Sequence, residues 1–289
     1  MSKLVLNHVD QLQVSQFISN PAHLLVIVGP LGSGKFALAT HIIESILSVP
    51  EGEIEKYPYF MALHPNKGTI SIDSVRELKR FMRLKTTGSL ALRRGIIIEQ
   101  AESLTIEAQN SLLKLLEEPP SDTVIVITVQ SSRAMLPTIY SRSQIITLRK
   151  PNKADLTDYF KGLGNESIDI DRVFKLTNGL PGLMTALLST DNGHPMVESI
   201  DTAKHLLEIT RYDRLLMIND LSKDKANLRE LISAIERVAQ ASLSQSISAG
   251  RGQNMTRWHN ILKQSLKAEG QLSLNANPKL VLTNLFLTI

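Results

Sequence analysis

The sequence predicts an α/β protein in which a parallel β-sheet, covered by helices on both faces, fills the first half and helical units complete the chain. Three observations predict it. Short, continuously apolar runs recur through the first half with helix-length stretches between them. The first run ends in a glycine-rich turn that leads through a lysine into a helical pattern. After Pro151 the strand signals stop.

The runs are "LLVIV" (Leu24 to Val28), "YFMALH" (Tyr59 to His64), "GIIIE" (Gly95 to Glu99), "TVIVIT" (Thr123 to Thr128) and "QIITLR" (Gln144 to Arg149). Between them, "FALATHIIESIL" is an amphipathic helix, and "SVRELKRFMRLK" puts Val75, Leu78 and Met82 on one side. "TIEAQNSLLKLLEEPP" opens with Thr105 as a cap, buries Ala108, Leu112, Leu115 and Leu116 along one face, and stops at proline. Beyond Pro151, "NKADLTDYFKGL" and "DIDRVFKLTNGLPGLMTALL" read as short helices of a small separate unit. Turn formers cluster in "STDNGHP", Ser189 to Pro195, which sets a second boundary. From Met196 the pattern is helical, with Leu228, Leu231, Ile232, Ile235, Val238 and Ala239 at helix spacing. Asn277 and Pro278 start the last helix. The expected division is therefore 1–150, 151–194 and 195–289, with no internal repeat.

At 289 residues the chain exceeds what one core usually supports. Hydrophobic residues at 43% and charged residues at 21% set disorder aside, and an aromatic share of 4% argues against a surface that stacks on unpaired bases. The absence of cysteine excludes disulfides, thiolate catalysis and the usual structural zinc sites, and the seven histidines show no metal spacing. With no apolar run of membrane-spanning length and no leader-like start, a soluble, cytoplasmic protein with no membrane partner is expected. A formal charge of +4 permits an acidic partner without requiring one.

Backbone N–H groups that converge at a helix N-terminus cradle phosphates, and Gly29, Gly32, Ser33, Gly34 and Lys35 meet that requirement. The full pattern ends in a hydroxyl that ligates magnesium, where Phe36 stands here. In "GIIIEQAESL", Glu99 suits a metal role at a strand end, but the next residue, Gln100, is an amide that cannot take a proton. ATP with magnesium is thus a weak or absent ligand on this reading. A glycine-rich turn without phosphate, and a merely polar strand end, remain the alternatives.

"GPLGSGKF", "IIIEQAESLTIEAQNSLLKLLEEPPSDTVIVITV" and "MLPTIYSRSQ" resemble the AAA+ clamp-loader subunits of bacterial DNA polymerase III, the delta-prime type above all. "HPNKGTISIDSVRELKRFM" and "LNANPKLVLTNLFL" extend the similarity over nearly the whole chain. The resemblance implies a RecA-like P-loop domain, a helical lid and an all-α C-terminal collar through which five subunits form a ring that loads a sliding clamp on primed DNA. It implies gamma/tau-type and delta-type subunits as partners, with primed DNA met through the complex and the clamp touched indirectly. Active members carry serine or threonine at Phe36, aspartate at Glu99 and glutamate at Gln100; the sensor position falls near Gln130, and the lid's sensor arginine has no match in "GLPGLMTALL". The four-cysteine zinc module of many members is missing.

In the same family, the arginine of a Ser-Arg-Cys motif reaches the neighbouring subunit's nucleotide; "SRS" puts Arg142 there. A planar, permanent cation suits charge developing on a phosphoryl group, while a local salt bridge is the other reading. Glu117 and Glu118 oppose the dipole of their own helix, which invites either an inter-subunit contact or simple solvation. Arg76, Lys79, Arg80 and Arg83 form a basic stripe that follows a DNA backbone or is merely solvated. The reading is a scaffold subunit without useful ATPase activity. Its competitors are an active gamma/tau-type ATPase and a separate DNA-binding AAA+ module.

Overall fold

The computed structural model describes residues 4–66, 68–117, 119–132, 135–188, 195–248, 252–274 and 276–289. Two compact units result, Met1–Asp155 and Leu156–Ile289. Residues of the expected lid and collar both fall in the second, and the turn-rich stretch from Ser189 to His194 lies outside the described residues.

The first unit runs α1 (His8–Ser19), β1 (Leu24–Val28), α2 (Lys35–Leu47), a 3-10 turn (Ile54–Lys56), β2 (Phe60–Leu63), α3 (Ile72–Met82) and β3 (Arg94–Ile98). A second 3-10 turn (Ala101–Ser103), α4 (Ile106–Glu117), β4 (Thr123–Val129), α5 (Pro137–Tyr140) and β5 (Gln144–Thr147) follow. The strands form one parallel sheet in the order β2-β3-β4-β1-β5.

Alternation along these strands builds two cores. Leu24, Val26, Val28, Ile96, Ile98, Ile125 and Ile127 face α3 and α4, meeting Val75, Leu78, Leu112 and Leu116. Leu25, Ile27, Ile97, Val124 and Val126 face the other way, against Val14 and Phe17 of α1 and Leu38, Ile42 and Ile43 of α2. Burial on both faces is why the strands read as unbroken apolar runs. Thr105 caps α4 by accepting the Ala108 N–H at 3.2 Å; Ala108, Leu112 and Leu116 are buried and Leu115 partly so. Asp10, fully buried in α1, accepts the Arg149 backbone N–H at 2.7 Å and its guanidinium at 3.0 Å, fastening α1 beside the end of β5.

Gly95 sets how closely α2 lies on the sheet: a Cβ there would collide with Ile43 Cγ2 and sit 3.1 Å from Leu47 Cδ1. Gly95→Ala is therefore expected to destabilise the chain by about 1–3 kcal/mol through overpacking, read as a lower urea midpoint.

The second unit is helical: α6 (Lys153–Gly162), which crosses the boundary, α7 (Ser167–Thr177), α8 (Pro181–Leu188), α9 (Pro195–Glu208), α10 (Arg211–Leu216), α11 (Ile218–Leu221), α12 (Lys225–Ser248), α13 (Gly252–Ser273) and α14 (Pro278–Thr288). The apolar stripe of α12, from Leu228 to Ala239, is buried at the spacing the sequence shows. α12 packs on α9, α13 and α7, and α14 closes on α13. Asn277 caps α14, accepting the Lys279 N–H at 3.0 Å. No helix among the described residues is long and apolar enough to cross a membrane.

One group of this unit makes stability depend on pH. Burial, reinforced by Glu269 and opposed by Arg237, raises the Glu236 carboxyl to about 7. The folded chain then binds a proton that the unfolded chain has released, so stability is fullest in acid and is lost as pH rises from about 4.5 through 7. Glu236→Gln is expected to unfold on the order of 1–2 kcal/mol higher than the parent at pH 8 and to match it near pH 4.5; melts at the two pH values check this.

Candidate nucleotide site

The site lies beyond the carboxyl ends of β1, β3 and β4, where parallel sheets place their ligands. β1 feeds Gly29 into the loop, and its N–H still bonds to the Val129 carbonyl at 3.1 Å. The turn needs glycine at two points, Gly32 (φ 79°) and Gly34 (φ 83°), both in the left-handed region. Gly34 caps α2 there and Lys35 opens the helix.

The lysine does not reach outward. Its ammonium donates to the Gly29 carbonyl at 2.7 Å and the Pro30 carbonyl at 2.9 Å, inside the loop it would otherwise serve. Only 7% of Lys35 is exposed. Burial lowers its pKa to about 8, against the opposing charges of Glu102 and Glu99. Ser33 Oγ is buried without a hydrogen-bond partner in the same turn.

Phe36 is half-buried, with its ring 5.2 Å from that of His64 and tilted by 55°. His64 Nδ1 lies 2.8 Å from Glu99 Oε2. The strand-end carboxylate that would meet a metal is thus held by an imidazole, and the helix position that would supply a hydroxyl carries a ring packed on the same imidazole. Gln100, left-handed at φ 48°, bonds through its backbone N–H to Thr128 Oγ1 at 3.0 Å. These residues do not fit a magnesium nucleotide: the metal-ligating hydroxyl is absent, the carboxylate is engaged, and the lysine is turned inward. Among the described residues no group of three or more His, Cys, Asp or Glu could hold a metal ion.

Glu102, which the sequence did not single out, faces Lys35 from the 3-10 turn after β3. Burial raises its pKa, while its own backbone, Lys35 and Gln130 work the other way. Neither of its buried oxygens reaches hydrogen-bond geometry. Its signal in the sequence is faint: it falls three residues after Glu99, one tight turn further on. His64 was readable only as the residue before a proline turn.

Arg142 lies elsewhere. β5 joins the sheet with Gln144 opposite Leu25, at the start of β1. Two residues earlier, Arg142 sits on the amino-terminal side of the sheet, a strand length of roughly 15–20 Å from the phosphate loop. Its guanidinium donates to the Thr138 carbonyl at 3.1 Å and lies 3.6 Å from Glu117 Oε1. Both side chains are substantially exposed, at 41% and 54%. Glu118 is outside the described residues. Arg76, Lys79 and Arg80 on α3 and Arg83 at its C-terminal cap are all exposed, while Val75, Leu78 and Met82 are buried, and Arg76 is engaged by Asp73 at 2.8 Å.

A five-stranded parallel sheet with a phosphate loop after β1, an acidic residue after β3 and helical extensions is an AAA+-related fold. A DNA polymerase III gamma subunit-related protein from Thermotoga maritima shares it, with a TM-score of 0.56 and 18% identity, covering 96% of this chain and 97% of that one. The family model described as "DNA polymerase III, delta subunit" matches residues 7–152, and the chain belongs to that family. It is similar to the DNA polymerase III subunit delta' of Pseudomonas aeruginosa, 30% identical over 178 residues that cover 55% of this chain and 54% of the relative. The Haemophilus influenzae subunit delta' is 28% identical over 155 residues, 48% of this chain and 46% of that one. The chain spans about half the length of the curated relatives it matches.

Proposed function

We propose that the chain is a delta-prime-type subunit of a DNA polymerase III clamp loader, a scaffold that turns over no ATP itself and offers Arg142 to the nucleotide of a neighbouring subunit. Its partners on this reading are gamma/tau-type and delta-type subunits, and through them primed DNA and the sliding clamp. Residues 1–150 serve as the P-loop domain, 151–194 as the lid and 195–289 as the collar. The observation that carries the reading is the Phe36–His64–Glu99 cluster, which takes up the positions a magnesium ion would need. The side of the sheet on which Arg142 lies supports action in trans, since its own phosphate loop is out of an arginine's reach.

Reconstitution tests it. A mixture of gamma-type and delta-type subunits, clamp, primed DNA and ATP is expected to load clamp only when this chain is present, while the solitary chain releases no phosphate. ATP turnover by the solitary chain that disappears in Lys35→Ala would identify a gamma/tau-type ATPase instead. Tight binding of primed DNA by the solitary chain, without affinity for the other subunits, would identify a free-standing DNA-binding module.

The exposed stripe on α3 is proposed to contact the DNA backbone. Arg80→Ala with Arg83→Ala, in the assembled complex, is expected to weaken primed-DNA binding and to reduce the slope of log K against log salt by about 1–2. An unchanged slope would leave the stripe an ordinary solvated face.

A further inference from the structure

The second unit holds a cavity of about 770 Å³ between α7, α9, α12 and α13. That is the size of an established ligand site, in the range of roughly 300–1,000 Å³. Its floor is apolar, with Leu207, Val238 and Ala241 all buried. Trp258, the chain's single tryptophan, is half-buried in the wall. The Arg257 guanidinium lies over that ring, 5.2 Å from its centroid, and donates to the Leu207 carbonyl at 3.0 Å.

The rim is basic. Arg172 and Lys175 stand one turn apart on α7, joined by Lys204 and Arg257, against Asp171 and Glu208 as the acidic groups. Lys204 pairs with Asp201 at 2.9 Å. Arg172 and Lys175 are exposed and make no ion pair among the described residues.

An apolar floor whose rim carries four cations to two acidic groups, with Arg172 and Lys175 making no ion pair among the described residues, selects a ligand that buries a hydrophobic side chain and presents carboxylates around it. A nucleoside phosphate fits less well. The lining comes from the sides of helices and not from a helix N-terminus, the usual phosphate cradle, and Arg257 already covers one face of the only tryptophan. We propose that this cavity is the docking site for an acidic peptide segment of a partner protein, anchored by an aromatic or long aliphatic side chain. Its occupancy is independent of whether the phosphate loop binds nucleotide.

The test pans a phage-displayed random peptide library on the full chain, with the doubly substituted Arg172→Glu, Lys175→Glu chain as the counter-target. Both residues are exposed, and a thermal melt of the variant confirms that it folds. The expected result is enrichment of peptides in which two or more acidic residues flank an aromatic or aliphatic one. The leading synthetic peptide should then change Trp258 fluorescence saturably, with an affinity at least tenfold lower for the variant and falling with salt. Absence of enrichment, equal enrichment on the variant, or a bound peptide that leaves Trp258 unperturbed would overturn the proposal. So would a saturable response to AMP or inorganic pyrophosphate in place of peptide, which would mark a small-anion site.

Discussion

Arg142→Ala is expected to cut ATP turnover on the order of a thousandfold at the adjoining site of a reconstituted ring, with little change in the stability of the isolated chain. The contrast follows from magnitudes. In the isolated chain Arg142 meets Glu117 at 3.6 Å with both side chains open to water; such a pair is worth about 0–1 kcal/mol. A guanidinium on a transferred phosphoryl group is worth about 4 kcal/mol, the equivalent of that thousandfold effect. On the proposed trans role, the phosphate outcompetes Glu117 and the ion pair is a resting position given up on assembly. The measurement uses a ring in which only the subunit next to this chain keeps its phosphate-loop lysine, so that turnover reports one site. Arg142→Lys keeps the charge but loses the planar fork and should recover only part of the loss. Glu117→Gln frees the arginine and should leave turnover intact. Full turnover with Arg142→Ala would reduce the arginine to its local pair.

The sheet was legible because parallel strands buried on both faces leave unbroken apolar runs, and each of the five runs became a strand within two residues of its expected ends. The caps at Thr105 and Asn277 were legible for a local reason: a hydroxyl or amide before a helix needs only its own next turn. What escaped depends on strand order. His64 and Glu99 are 35 residues apart and meet because β2 pairs with β3 in the register Leu63 to Ile98, which brings the next residue of each strand together. Glu117 found Arg142 because α4 runs back from the carboxyl ends of the strands to the side where β5 begins. Phe36 was legible as a missing ligand but not as a packed ring, since its partner sits on another strand's exit. The inward turn of Lys35 was invisible as well, because the spacing that aims a lysine at phosphate equally lets it reach the loop carbonyls.

Arg94 shows the same limit most expensively, and Arg94→Met is expected to destabilise the first unit by roughly 3–5 kcal/mol. In the sequence it is one of two arginines directly ahead of the run that begins at Gly95. In the fold it is 1% exposed. One guanidinium nitrogen donates to the Met82 carbonyl at 2.9 Å and to Thr123 Oγ1 at 3.2 Å, and lies 3.4 Å from Asp122 Oδ1; the other donates to the Leu84 carbonyl. The cation also sits 5.7 Å from the centre of the Phe81 ring. It thereby ties the C-terminal end of α3 to the starts of β3 and β4, satisfying carbonyls that the helix leaves open. Methionine matches the side chain's length and fills the space, so the loss isolates the unpaired carbonyl acceptors and the weakened pairing of Asp122, which keeps Arg93 at 3.9 Å and the Thr86 hydroxyl, from any cavity. A shift of the thermal midpoint by some 10 °C follows for a unit of this size. Asp122→Asn removes the carboxylate that Arg94 meets at 3.4 Å, so the double variant should lose clearly less than the two single losses combined. Strict additivity in a urea-denaturation cycle would mean that Arg94 acts through the helix-end carbonyls alone.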